Sequence, residues 1–142
     1  MAFKFPSTEW VAAFKDAVNG NPAYKTSGRE WTHGVITLVV AANPALGLAE
    51  DAAMWLDLHQ GVCRDAKLLK RAEADATSAF VIVGDYARWK QVIRKELEPI
   101  KGMMQGKLKL TKGPLPVIVK FVAAAKELVQ STSAVDTKFI DE

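Results

Sequence analysis

Ala79-Phe-Val-Ile-Val-Gly-Asp85, then Tyr86-Ala-Arg-Trp-Lys-Gln-Val-Ile-Arg-Lys-Glu-Leu97, then Glu98-Pro-Ile-Lys-Gly-Met-Met-Gln-Gly-Lys-Leu-Lys-Leu-Thr-Lys112 is the stretch whose reading decides the fold. Ala79 to Val83 is a short apolar run rich in β-branched and aromatic residues, which reads as a buried strand stopped by Gly84-Asp85. Asp85 can cap a helix whose apolar positions Tyr86, Trp89, Ile93 and Leu97 recur every three or four residues. Pro99 is tolerated only in a first helical turn, so it restarts the chain as a short helical turn that carries Met103 and Met104. Gly106 ends that turn. Lys107 to Lys112 then alternates polar and apolar residues as a half-buried strand does.

Outward from this stretch, the rest of the chain supplies further strands and helices. Towards the N-terminus, Ser7 or Thr8 can cap a helix whose stripe is Trp10, Ala13, Phe14, Ala17 and Val18, ended by Asn19-Gly20-Asn21-Pro22. Trp31 to Ala42 is apolar on both faces, with Ile36, Leu38 and Val40 on one and His33, Val35, Thr37 and Val39 on the other, and is expected as an inner strand. Ala53 to Gln60 is a further strand, carrying Met54, Leu56 and Leu58 on one side. Gln60-Gly61 turns it into a hairpin with Val62 to Leu69. Lys70 to Thr77 is read as a connection. Beyond Gly113-Pro114, one continuous helix is expected to about Gln130, apolar over more than half its girth, so it must bury more than one face. Residues 131–142 read as a polar tail whose Phe139-Ile140 folds back. The fold class is therefore α+β: a mainly antiparallel sheet of about five strands in a single domain spanning residues 1–142.

The composition is that of a soluble globular chain, 49% hydrophobic and 25% charged over 142 residues. Its single cysteine, Cys63, excludes an internal disulfide and suits a reducing compartment. Without a bilayer-length apolar run, a signal-peptide core or a terminal peroxisomal tripeptide, the expected location is cytoplasmic. The net charge of +3 is unevenly laid out, because Tyr86 to Lys126 holds ten Lys/Arg against two acids. That asymmetry fits either a solvated face or a negative partner surface. Nucleic acid is not expected as a partner, since no recognition motif interleaves aromatics with the basic residues.

Taken together, Ala74-Asp75, the strand Phe80 to Val83, Trp89, Glu98-Pro99, Met103-Met104 and Gly106-Lys107-Leu108-Lys109 resemble the signature of the sterol-carrier-protein type-two lipid-transfer domains. The order and spacing hold from about Trp31 to Val129. Two departures are visible: Met103-Met104 stand where relatives commonly carry aromatics, and Lys112-Gly113-Pro114 replaces a Gly-Asp or Gly-Asn step. The resemblance implies helices gathered on one face of the sheet, enclosing an apolar tunnel bordered by the Met-bearing turn and the last helix. On that basis the wall comprises Met103, Met104, Leu108, Leu110, Ile118, Phe121 and Val122, with Ile36, Leu56 and Leu58 as its sheet floor. Methionine suits such a wall because its side chain is flexible and polarisable. Trp89 is expected as a structural anchor rather than a ligand contact. Arg88, Lys95, Lys101, Lys107, Lys109, Lys112 and Lys120 supply an expected basic rim for anionic headgroups.

The residues themselves offer little chemistry. Gly102 to Leu108 is one residue short of a phosphate loop and places Leu where the metal-binding hydroxyl belongs. Asp57, His59 and Cys63 have metal-ligand types but lack a fourth ligand, and His33 has no nameable partner. Carboxylate pairs such as Glu50-Asp51 and Glu96 with Glu98 fall in loops or at exposed helix ends. The function that the family resemblance implies is non-catalytic binding and transfer of sterols, fatty acyl chains or related lipids, with a sterol, fatty acid or acyl-CoA as the apolar partner and without cofactor or metal. The alternatives are an interaction domain with a vestigial cavity and, more remotely, a lipid-thioester enzyme subunit.

Overall fold

The computed structural model describes residues 2–142. The stretch from Ala79 folds as β5 (Phe80–Gly84), α4 (Tyr86–Ile93), α5 (Pro99–Met104) and β6 (Lys109–Lys112). Before it come β1 (Phe3–Phe5), α1 (Thr8–Asn19), α2 (Pro22–Ser27), β2 (Ile36–Val40), β3 (Ala52–His59), β4 (Val62–Leu69) and α3 (Arg71–Thr77). After it come α6 (Leu115–Val119), α7 (Val122–Ser131) and β7 (Thr137–Phe139).

The main sheet has the order β4-β3-β2-β5-β6. Its pairs are antiparallel except at the centre, where β2 runs parallel to β5. The sheet is thus mixed. A parallel pair needs a long crossover, and the β3–β4 hairpin with α3 supplies it. Gln60 and Gly61 both adopt positive φ, 50° and 83°, as a two-residue hairpin turn demands. Gly61 is also required by space: a Cβ there would lie 2.4 Å from the carbonyl oxygen of Lys25.

Side-chain alternation divides the sheet into two unequal faces. Ile36, Val40, Met54, Leu56, Leu58, Phe80 and Ile82 join the large core under α1, α2, α4, α5, α6 and α7. Val39, Ala53 and Val81 face the other way and meet Ala74 of α3. Lys70 to Thr77, expected as a connection, is therefore largely a helix: its alanines favour helix, and Ala74 gives it a surface to cover. Trp55 on that face donates its indole N–H to Thr77 Oγ1 at 3.0 Å. Buried Thr37 is satisfied by Ser78, Oγ1 to Oγ 2.5 Å.

Two helices are shorter than their apolar stripes suggest. The α4 helix stops at Ile93 because Lys95 takes a left-handed φ of 62°, although Leu97 remains buried beyond the break. The expected continuous helix after Pro114 is broken at Lys120-Phe121 into α6 and α7. The β-branched run Val117-Ile118-Val119 weakens helix there. The break also lets Phe121 meet Trp31 edge-on, with ring centroids 4.9 Å apart.

Side-chain amides fix the helices in place. Asn19 exchanges two hydrogen bonds of 2.9 Å with the backbone of Cys63, tying α1 to β4. Asn21 caps α2 and donates to the Glu127 carbonyl and Ser131 Oγ, tying α2 to α7.

The C-terminal residues do fold back, further than the sequence pattern suggests. β7 pairs in parallel with β1, setting Phe5 beside Phe139. Tyr86 Oη donates to Asp141, and Lys90 bridges Asp141 and Glu142, with Arg94 also on Glu142. These contacts hold both carboxylates below their ordinary pKa, chiefly through hydrogen bonds from Lys90. A depressed carboxylate pKa contributes stability that is present above the unfolded value and lost as pH falls through the folded one. We therefore expect the clasp to be intact at neutral pH and to loosen in acid below the ordinary carboxylate range. Amide exchange of Thr137 to Phe139 should then accelerate more than that of β2 and β5. Equal acceleration in both places would show that these ion pairs do not hold the clasp.

Candidate functional site

Between the larger face of the sheet and its helices lies a cavity of about 100 Å³. Its floor is Ile36, Leu38, Met54, Leu56 and Ile82. Phe5, Trp10, Val11 and Phe14 line it from the N-terminal segment and α1, and Trp89, Val92, Ile93, Pro99 and Met103 from α4 and α5. Ile118, Ala125, Leu128, Val129 and Thr132 complete the wall. Only apolar atoms face the interior. A smaller cavity of about 40 Å³ adjoins it, sharing Ile36, Ile118, Ala125 and Leu128 and bounded further by Tyr24, Trp31, Leu58 and Phe121.

The residues expected as wall and floor separate into two groups. Ile36, Leu56, Met103 and Ile118 line the main cavity, and Leu58 and Phe121 the smaller one. Leu108 is fully buried but stands behind the wall, its side chain filling the space left by Gly84 and Gly102. A Cβ on Gly84 would lie 2.5 Å from it. Leu110 is half-buried on the edge strand opposite Ile82. Met104 and Val122 point outward, 69% and 39% exposed. That corrects their expected place: on a six-residue helix, Met103 and Met104 lie about 100° apart, and only one can face the core.

Several lining residues were not expected there. Trp10 and Phe14 were legible as an apolar stripe, but a stripe that packs and one that borders a cavity look alike in sequence. Trp89 lines the cavity and also anchors its helix, donating its indole N–H to the Val39 carbonyl at 2.8 Å.

The basic residues also divide. Lys95, Lys101, Lys107, Lys109, Lys112 and Lys120 are exposed and Arg88 is half-buried. Arg88 donates to Gln91, and Lys112 Nζ to the carbonyl of Asp75 at 2.7 Å. Lys95 lies beside the cavity and donates to Thr132 Oγ1 at 2.9 Å. Asp57, His59 and Cys63 do not converge. Asp57 pairs with Arg64, and Cys63 is buried with its thiol donating to the Asp65 carbonyl. Burial pushes that thiol's pKa up to about 11, so it is not a poised nucleophile. Among the described residues no group of three or more His, Cys, Asp or Glu side chains could hold a metal. Among them, too, no helix is long and apolar enough to cross a membrane.

Residues 12–126 match the model of the SCP-2 sterol transfer family. The chain belongs to that family. A crystal structure of sterol carrier protein 2 is 33% identical and superposes with a TM-score of 0.83, over 91% of this chain and 97% of the other. A conserved hypothetical protein of Thermus thermophilus is also 33% identical, with a TM-score of 0.83, over 93% and 90% of the two chains. The SCP-2 fold is shared more distantly with palmitated SCP2L2 from Aedes aegypti, at 16% identity and a TM-score of 0.53 over 81% and 93%. No curated protein matches the sequence. The stretch from Phe80 to Lys112 lies within the residues matched to the SCP-2 family.

Proposed function

We propose that this protein is a non-catalytic carrier that takes single lipid molecules, sterols or fatty acyl chains, into the cavity between sheet and helices. The observation that carries this reading is the wholly apolar lining of a cavity in a chain of the SCP-2 sterol transfer family. A fully packed core would leave no such space, because interiors fill to crystal density. The driving force is hydrophobic: each sequestered methylene contributes up to about 0.8 kcal/mol, so about fifteen would give roughly 12 kcal/mol before ordering costs. Those costs consume several kcal/mol, leaving reversible binding.

The cavity must expand to accept such a ligand. A cavity of roughly 150 Å³ holds one benzene, and the main cavity here is about 100 Å³. The movable wall is α5, α6 and α7. The α5 helix begins at Pro99, α6 and α7 are divided at Lys120-Phe121, and all three join the sheet by side chains rather than by strand pairing.

Delivery is proposed to occur at a membrane, with exposed Met104 entering the lipid surface. Lys101, one helical turn before it, and Lys107 and Lys109 just after it would rest on anionic headgroups. Each such cation contributes about 1 kcal/mol near an anionic surface, and salt shortens the reach of that attraction to below ~10 Å. Uptake of a fluorescent fatty acid from vesicles is the test. Uptake should be faster from vesicles containing anionic phosphatidylserine than from neutral phosphatidylcholine, and the difference should vanish in high salt. No uptake from either vesicle, and none of the free fatty acid, would refute the carrier reading. Uptake indifferent to lipid charge and salt would refute the docking surface alone.

A further inference from the structure

The cavity is apolar, yet a cation stands at its edge. Lys95 follows α4 in a left-handed conformation, φ 62°, that non-glycine residues seldom adopt. The turn brings its ammonium back over the helix end, where it donates to the Ile93 carbonyl at 3.0 Å and to Thr132 Oγ1 at 2.9 Å. Ile93 and Thr132 are both lining residues of the main cavity. The Thr132 hydroxyl is turned away from the interior and donates to the Val129 carbonyl at 2.6 Å.

Lys95 also borders an outer groove of about 240 Å³, together with Leu97, Glu98, Pro99, Lys126 and Val129. Pro99 and Val129 line the groove and the cavity alike. An ammonium has three N–H donors. Two of those on Lys95 go to neutral oxygens, and among the described residues no carboxylate lies within ion-pair distance of it. The residue as a whole is exposed, but desolvation of its ammonium against the helix end lowers its pKa. Glu98, the one carboxylate on the groove among the described residues, accepts from the backbone N–H groups of Ile100 and Lys101 as the cap of α5. With Lys126 also lining it, the groove carries two cations against one committed anion among the described residues.

We propose that Lys95 anchors the carboxylate of an unesterified fatty acid, whose chain passes between Pro99 and Val129 into the cavity. This rests on the carrier reading and narrows it: acidic single-chain lipids are preferred over neutral sterols and esters. The carboxylate supplies the counter-charge that Lys95 lacks, and a charge-assisted bond replaces one made to a neutral oxygen. A neutral headgroup gains nothing comparable at this position.

The test compares palmitate with methyl palmitate, by titration on the intact chain and on the variants Lys95→Met and Lys95→Arg. The wild type should bind palmitate about tenfold more tightly than the ester. Lys95→Met should lose that preference without weaker binding of the ester, and Lys95→Arg should keep it. The carbon-13 resonance of carboxyl-labelled palmitate should titrate at lower pH on the wild type than on Lys95→Met. If both ligands bind the wild type and Lys95→Met equally, the anchor is refuted while the carrier reading stands. If neither binds the wild type, both fall.

Discussion

Replacing Trp89 with alanine is expected to lower stability by about 3–5 kcal/mol, the range for removing a large buried aromatic. The side chain is 4% exposed and seals α4 against the sheet. Its indole N–H also donates to the Val39 carbonyl on β2, a strand two neighbours away from the edge on either side. Alanine would remove the ring, enlarge the cavity it lines and leave that carbonyl without the indole donor. Trp89→Phe separates these effects: it keeps most of the apolar contact and loses the hydrogen bond, which is worth about 1 kcal/mol. Urea denaturation measures both. A loss below about 1 kcal/mol for Trp89→Ala, far under the range for such a change, would mean that α4 is held mainly by its contacts with the C-terminal clasp.

Ala125→Phe is expected to abolish lipid uptake while leaving the protein folded. Ala125 lies on α7 where the main and smaller cavities meet, and it lines both. A phenyl ring there would grow into space that is now empty, so the unliganded protein should lose little stability. Where the ring fits without strain, it gains by filling a void. A lipid chain would then have to displace a covalently attached ring. Uptake from vesicles should drop to background, and the urea midpoint should stay within a small margin of the wild type. Undiminished uptake by a folded Ala125→Phe would place the ligand elsewhere, on the outer surface or in the groove beside Lys95. If the substitution instead unfolds the chain, Ala125→Leu makes the same test with a smaller side chain.

Much of the architecture was legible because local patterns and tertiary packing agree. The alternation in β2 and β3 identified Ile36, Leu56 and Leu58 as facing one way, since a strand places every second side chain on the same side whatever it packs against. Glu98-Pro99 marked a helix start because a proline tolerates few other places, and the Glu98 carboxylate does cap it. Other decisions needed the fold. β1 and β7 are three residues each, too short to show a period, and exist because each pairs with the other across the whole chain. The apolar run after Pro114 reads as one helix in sequence, yet the fold divides it at Lys120-Phe121, where Phe121 packs edge-on against Trp31. Met103 and Met104 are the same residue type in the same turn. One lines the cavity and the other stands in solvent, because helical rotation between neighbours sends them to different sides. Lys95 shows the limit most plainly. In the sequence it is one of ten cations between Tyr86 and Lys126. Its place beside Thr132, 37 residues further on, arises only when α4 ends in a left-handed turn and α7 packs across it. Sequence periodicity determined which residues are apolar on which face, because that follows from backbone geometry alone. Which of those faces close on one another and which leave space between them was decided by the tertiary structure, because a cavity is a property of several segments at once.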